Sequence, residues 1–391
     1  MSLRELPPEQ AITSRWRHLR YVPLAILVVL VILATVVGVA VKRSQPAPTA
    51  EPPSASEEPV ADRLPDECHR PVAPPTTQPW AAANKAASEE VWVSHADDLA
   101  TPYVLGEDGW VFWGDIQNNN FSQAIGRRTL SAEELSAWHT YLANLDTELS
   151  AEGIELYVVI APAKWAIYPE NLPEWAKAIR GPGPLDQLME VGGDLPLVDL
   201  RAPLTEESSE TQTYSRVNSH WSSFGAYTGW NAIADCIVAN QPDVGLEPLP
   251  LEGVTLVDDF NEYGDYDIEL ETPDWTEPVF AEPLAPVEIS AAGADPVTVD
   301  GSRWTSFDDL PATTHTEGAP SDASVLFVSD SFGVVMSPYI QQAFTDIRTL
   351  RHNLDGDPSI RPDIADVALA TRPDIVILEI TQRHLNLPPT P

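Results

Sequence analysis

Apolar positions along this chain fall at two spacings, and the switch from one to the other predicts its elements. Leu135, Trp138, Leu142, Leu145 and Leu149 recur at helical spacing. Ser131 precedes them as an N-cap with Glu134 three residues on, a capping box, and Gly153 ends the helix. Ile154-Glu155-Leu156-Tyr157-Val158-Val159-Ile160 follows at once, a short β-rich apolar run that reads as a buried strand. The same reading gives a strand at 195–200, which Pro196 places near a sheet edge or at a strand start. A helix at 222–240 carries Trp230 and Cys236. A strand at 324–328 leads to a helix at 332–344, and a helix at 362–370 leads to a last buried strand at 374–380. Apolar strands alternating with helices predict an α/β domain whose parallel sheet is covered on both faces.

Residues 241–320 break that rhythm. They are rich in Pro, Asp, Glu and Thr, with short β-branched pieces at 286–289 and 296–299, and predict an irregular, β-containing insertion or lid. From residue 67 to 391 the chain otherwise reads as one large domain without internal repeats.

The N-terminus reads differently again. Tyr21 to Val41 is uncharged and almost wholly apolar, long enough to span a bilayer core as one transmembrane helix. Arg4, Arg15, Arg17 and Arg20 precede it, so residues 1–20 are expected to be a cytoplasmic tail and the main domain to lie outside. A cleaved signal peptide is the competitor, with Gly38-Val39-Ala40 as a small-x-small site, but the apolar run exceeds the usual h-region of roughly 7–15 residues. Residues 44–66, rich in Pro, Ala, Ser and Glu, read as a disordered linker.

Charge narrows the partners. The chain holds 22 Lys+Arg and 59 Asp+Glu; residues 1–43 take six and two of these, leaving 16 against 57, a formal −41, for the remainder. Such a surface disfavours nucleic acid and anionic headgroups, though simple solubility outside the cell explains it equally well. Cys68 and Cys236 are the only cysteines. In an extracytoplasmic domain they most simply form one disulfide, for which loop entropy gives about 4–5 kcal/mol. A thiolate nucleophile is the alternative.

Two segments carry candidate chemistry. In Val325-Leu326-Phe327-Val328-Ser329-Asp330-Ser331-Phe332-Gly333 a buried strand turns sharply into a helix. A serine there meets the unpaired N–H groups and dipole of the helix start, which stabilise an oxyanion. Ser331 is the better nucleophile, because Ser329 still belongs to the strand; the plainer reading is that these residues only cap the helix. In Tyr214-Ser215-Arg216-Val217-Asn218-Ser219-His220-Trp221-Ser222, His220 sits in a loop and suits a general base, against the alternative of a packing histidine.

Taken in order, these and other segments resemble the AlgX/AlgJ family of extracytoplasmic polysaccharide O-acetyltransferases, whose catalytic domain is SGNH-hydrolase-like. The resemblance rests on Gly106-Glu107-Asp108-Gly109-Trp110-Val111-Phe112 and on the run from Val159 through Lys164 to Pro173. It continues through Tyr214, Asn218-Ser219-His220-Trp221, Gly225-Ala226-Tyr227 and Ser329-Asp330-Ser331-Phe332, and closes on Leu378-Glu379 with Arg383. It implies an SGNH-like fold, Ser331 as the acyl-carrying nucleophile and His220 as its base. The family's motif has Asp where Asn218 stands and usually Gly where Ser329 stands. An Asn orients the imidazole without adding charge, and the matching change in serine proteases costs about 10⁴ in turnover. Another carboxylate, such as Asp199 or Asp265, is a candidate to complete the triad.

Lys164, Tyr214 and Arg383 are candidate substrate contacts, with solvated surface charge the alternative for Lys164 and Arg383. Asn118-Asn119-Asn120 reads as a turn before it reads as a site mouth. No histidine pair has zinc spacing, the acidic runs at Asp258-Asp259 and Asp265 lack the calcium-loop pattern, and no glycine-rich phosphate loop follows a strand, so no metal or cofactor is expected. The expected activity is O-acetylation of a cell-surface or exported polysaccharide by a protein anchored in the cell membrane, with a membrane partner delivering the acyl group. A deacetylating esterase and a non-catalytic glycan-binding protein are the alternatives.

Overall fold

A computed structural model describes residues 63–247, 249, 254–258, 276–280, 284–291, 293–356 and 358–389. The tail and apolar span expected at 1–41 lie outside the described residues, as does most of the linker. Among the described residues no helix is long and apolar enough to cross a membrane.

The strands in chain order are β1 Tyr103–Leu105, β2 Val111–Trp113, β3 Glu155–Ala161, β4 Leu197–Asp199, β5 Val254–Asp258, β6 Thr276–Phe280, β7 Val287–Ala291, β8 Val297–Val299, β9 Ala312–His315, β10 Val325–Ser329, β11 Asp346–Arg351 and β12 Ile375–Thr381. Eight of them form one sheet in the order β4-β3-β12-β10-β11-β9-β7-β8. The first five in that order are parallel to their neighbours. The last three are antiparallel. The sheet is therefore mixed, which corrects the expectation of a purely parallel one. β7, β8 and β9 come from the 241–320 insertion and extend the sheet edge, while β5 and β6 pair only with each other.

Alternation along each central strand builds two cores. From β3, Tyr157, Val159 and Ala161 face one layer with Phe327, Trp230, Phe332 and Met336. Leu156, Val158 and Ile160 face the other, with Trp138, Leu142, Leu149 and Val376. The Ala132–Ser150 helix starts as predicted: Ser131 Oγ accepts from Glu134 N–H at 3.2 Å, and Ser131 N–H donates to Glu134 Oε2 at 2.8 Å. The Ser223–Asn240 helix is capped by Ser222 Oγ, which accepts from Gly225 N–H.

Pro196 does its predicted work: it precedes β4, one of the two edge strands of the sheet, and its carbonyl accepts from Val158 N–H. Folded structure begins earlier than composition suggests. Arg63 bonds Asp146 and Glu155, and Leu64 is buried, because one basic and one apolar residue suffice to dock the chain there. Cys68 and Cys236 are disulfide-bonded across 168 residues, tying this start to the Ser223–Asn240 helix.

Candidate active site

Ser331 is the first residue of the Ser331–Ala343 helix, directly after β10. Asp330 is the N-cap, and its Oδ1 accepts from Phe332 N–H at 3.0 Å. The N–H of Ser331 has no carbonyl one turn back inside the helix and lies beside its own Oγ, where the helix dipole is positive. Ser329 fits at this turn because Gly333 leaves room: a Cβ on Gly333 would overlap the Ser329 side chain.

The loop before the Ser223–Asn240 helix brings His220 to Ser331. A bridge between Tyr214 and Trp221 closes this loop at its base. Gly225 lets it lie close, since a Cβ there would strike the carbonyl of Thr213. His220 Nε2 is 2.7 Å from Ser331 Oγ, and His220 Nδ1 is 2.7 Å from Asn218 Oδ1. The backbone N–H of His220 also reaches Asn218 Oδ1, at 2.9 Å. A backbone N–H only donates, so the atom it meets is the amide oxygen, and that oxygen takes the Nδ1 proton. The tautomer that follows makes Nε2 the acceptor of the serine proton. Asn218 thus orients the imidazole but contributes no charge.

The three candidate substrate contacts separate. Lys164 is 3% exposed, and its ammonium donates to the carbonyls of Ser215, Arg216 and Asn218 at 3.0–3.1 Å, over the rings of Trp110 and Phe112. It ties down the loop carrying Asn218 and His220, so a solvated surface lysine does not fit this geometry. Tyr214 is fully buried, donates to Pro162 O, and burial pushes its phenol well above the usual range. It is a wall of the core rather than a surface contact. Arg383 is 8% exposed, 5.6 Å from the Phe332 ring, with Nη1 3.5 Å from Ser219 Oγ and Nε without a partner. It borders the dyad beside a slot of about 10 Å³ that Lys164, Phe332, Ser219 and Trp165 also line, and it keeps Nε unbonded.

Of the two carboxylates proposed to complete a triad, only Asp199 lies among the described residues, and it is committed elsewhere. Asp199 is bonded by Arg201 through Nε and Nη2. Asp265 lies outside the described residues, as does Asp259. Asn118 and Asn119 adopt left-handed backbone at φ 53° and 52°, and Asn120 Oδ1 accepts from Trp165 Nε1, so this run is the turn expected of it.

Sequence reasoning missed a buried polar cluster behind Ser331. Asp330 is 1% exposed and accepts from Thr381 N–H, Thr381 Oγ1 and His384 Nδ1 at 2.7–3.0 Å, with His352 Nε2 at 3.4 Å. Although burial opposes its ionisation, these donors hold its carboxyl well below the usual range. Glu379, fully buried beside it, is pushed well above the usual range by burial and by the charge of Asp330; its Oε2 accepts from Asp330 N–H. The pair is one carboxylate and one neutral acid. Asp330, His352 and His384 place three ligand-type atoms within 4.8 Å. However, His352 Nδ1 accepts from Leu354 N–H, which leaves the ring proton on Nε2 and makes that nitrogen a donor to Asp330 rather than a metal ligand. Aspartate and histidines spread from 330 to 384 leave no local motif; the strand ends β10, β11 and β12 bring them together.

A mixed α/β sheet with a serine at a strand-to-helix turn is the architecture of an SGNH-like domain. Residues 103–304, just over half of the chain, match the family model described as ALGX, SGNH hydrolase-like domain, acetyltransferase AlgX, and the chain belongs to that family. It is 24% identical over 296 residues to the probable alginate O-acetylase AlgJ of Pseudomonas syringae pv. tomato, covering 72% of this chain and 68% of that protein. It is 29% identical over 129 residues to the probable alginate O-acetylase AlgJ of Pseudomonas aeruginosa, covering 32% and 30% of the two. The structure of Bacillus cereus PatB1 shares the fold, with a TM-score of 0.53 and 15% identity over 73% of this chain and 97% of that one.

Proposed function

We propose that this protein transfers acetyl groups to hydroxyls of a cell-surface or exported polysaccharide, through an acetyl-Ser331 intermediate. The observation that carries the reading is the relay from Ser331 Oγ through His220 to Asn218 Oδ1, with both links at 2.7 Å. His220 Nε2 takes the Ser331 proton as Oγ attacks the acetyl carbonyl, and the Ser331 N–H at the helix start stabilises the oxyanion. The leaving group departs with the proton, and a glycan hydroxyl, deprotonated by the same imidazole, then takes the acetyl group. Arg383 borders this site and is the residue we assign to substrate contact.

The family and the AlgJ relatives support acetyl transfer to a polysaccharide. The apolar segment at 21–41 supports a single-span anchor in the cell membrane with the main domain outside, and a membrane-bound protein as acyl donor. Hydrolysis is the second reading, because water can replace the glycan at the same acetyl-serine. Release of acetate from an activated aryl acetate, with and without added oligosaccharides, separates the two. Transfer predicts acetylated sugar at the expense of free acetate. Acetate release unchanged by every acceptor contradicts transfer and leaves an esterase.

A further inference from the structure

Acyl transfer through Ser331 puts a full negative charge on one oxygen. As Ser331 Oγ bonds to the acetyl carbon, its proton passes to His220 Nε2 and the carbonyl electron pair moves onto the oxygen. The charge stays there until the leaving group departs with that proton and the carbonyl re-forms. In serine proteases two backbone N–H groups hold such an oxygen. The start of the Ser331–Ala343 helix offers fewer. Phe332 N–H bonds Asp330 Oδ1, and Gly333 N–H faces the Glu379 carboxyl. Of these three N–H groups, that of Ser331 is left for the oxygen.

A second donor is built into the turn after β12. Arg383 is 8% exposed, and its guanidinium lies 5.6 Å from the Phe332 ring, which is itself 5.0 Å from the imidazole of His220. Its donors are under-used. Nη1 reaches Ser219 Oγ only at 3.5 Å, the outer limit of a hydrogen bond, and Nε has no partner. The turn itself is held from several sides. Gln123 Nε2 donates to the carbonyl of Arg383 at 3.1 Å, and Gln382 Oε1 accepts from Ala163 N–H at 2.9 Å. His384 Nδ1 meets Asp330 Oδ2 at 2.9 Å, and Trp138 Nε1 donates to the carbonyl of Leu385 at 2.7 Å. A donor fixed in this way needs no reorganisation at the moment of reaction.

The slot beside Arg383 decides which anion fits. At about 10 Å³ it has room for about one water-sized group, so a single oxygen enters where a carboxylate or a phosphate does not. The rings of Phe112, Trp165 and Phe332 line it, and such surroundings strengthen a hydrogen bond to a charge. Lys164 borders it too, but its ammonium is committed to the carbonyls of Ser215, Arg216 and Asn218.

We propose that Arg383 is a catalytic residue, the second donor to the oxyanion beside the Ser331 N–H. This rests on the acyl-transfer reading and gives the substrate contact of Arg383 a definite atom, the acetyl oxygen.

The test compares wild type with Arg383→Met and Arg383→Lys in the full chain, on an activated aryl acetate and on methylboronic acid. The boronic acid forms a tetrahedral, anionic adduct with a serine hydroxyl and so stands in for the charged intermediate. Arg383→Met is expected to lower kcat by about 10²- to 10³-fold with KM nearly unchanged. Its affinity for the boronic acid should fall with kcat, because both report the charged state. Arg383→Lys keeps the charge without the planar fork, so its losses are smaller and share the same pattern; it carries the test alone if Arg383→Met does not fold. A folded variant whose KM rises at unchanged kcat, or whose boronic acid affinity matches wild type, overturns the proposal. Ser331→Ala keeps the two readings apart. If turnover and boronic acid binding both survive it, the acyl-transfer reading fails. If both are lost there and persist in Arg383→Met, only the role of Arg383 fails.

Discussion

Asn218 Oδ1 accepts twice from His220, from the backbone N–H at 2.9 Å and from Nδ1 at 2.7 Å. The backbone donor fixes which amide atom faces the ring, so the imidazole holds the tautomer a general base needs. In serine proteases the Asp-to-Asn change costs about 10⁴ largely by favouring the wrong tautomer. Here that part of the loss is absent, and the part due to charge remains. Asn218→Asp is therefore expected to raise kcat by about 10- to 100-fold, not 10⁴, and to move the acid limb of the rate to higher pH. A pH-rate profile of acetate release checks both.

Lys164 is expected to act on stability and loop order rather than on substrate affinity. Lys164→Met leaves the carbonyls of Ser215, Arg216 and Asn218 without its ammonium. With unsatisfied buried acceptors at about 1–3 kcal/mol each, denaturant unfolding should show a loss of about 3 kcal/mol or more. KM should change little while kcat falls, since His220 loses its fixed position. A pure rise in KM would return Lys164 to the substrate.

The turn depends on a small residue at one of two positions. Gly333→Ala brings a Cβ into the Ser329 side chain, and overpacking of this kind costs about 1–3 kcal/mol. Ser329→Gly should be tolerated and should rescue part of the loss in the double variant, the contact with the Phe327 ring remaining. Thermal unfolding of the four proteins gives the coupling energy directly, and strict additivity would show that the two positions do not meet.

Much of this was legible in the chain. Period-3.6 and period-2 patterning located the Ala132–Ser150 helix and β3, β10 and β12 to within a residue or two, because both faces of the sheet are buried and the apolar runs are long. Ser331, His220 and Asn218 emerged from motif order, and the structure brings them together. The burial of Lys164 and Tyr214 was not legible, because their partners are backbone carbonyls about 50 residues away, which no local pattern reveals. The β-branched pieces at 286–289 and 296–299 marked β7 and β8, but β9 and the place of all three in the main sheet were not legible, since three to five residues with exposed faces carry little periodicity. The Asp330–Glu379 pair could be sensed only as two acids at the ends of apolar strands.

That pair gives stability a pH dependence of known sign. Asp330 titrates below its unfolded value, so its contribution is present above about pH 4 and is lost as pH falls through its folded value. Glu379 titrates above its unfolded value, so its contribution is complete below about pH 4 and is lost as pH rises toward its folded value. Glu379→Gln removes only the second dependence. Its stability relative to wild type should therefore rise as pH goes from about 4 upward, measured by denaturant midpoints across pH.

Reduction of the Cys68–Cys236 disulfide frees a loop of 168 residues. The loop-entropy model gives about 5 kcal/mol as an upper figure, and a lower unfolding midpoint in reductant is expected. Equal midpoints with and without reductant would show that docking of Arg63 and Leu64 alone holds the start of the domain.

The central claim is that Ser331 carries the acetyl group, and trapping that intermediate tests it most directly. The full chain is mixed with an activated aryl acetate, quenched in acid and digested, and the peptide containing Ser331 is weighed. The account predicts one acetyl group on Ser331 in wild type, none in Ser331→Ala, and accumulation slowed at least about 10²-fold in His220→Ala. An unmodified Ser331 in a protein that still turns over the ester, or undiminished turnover by Ser331→Ala, would contradict it.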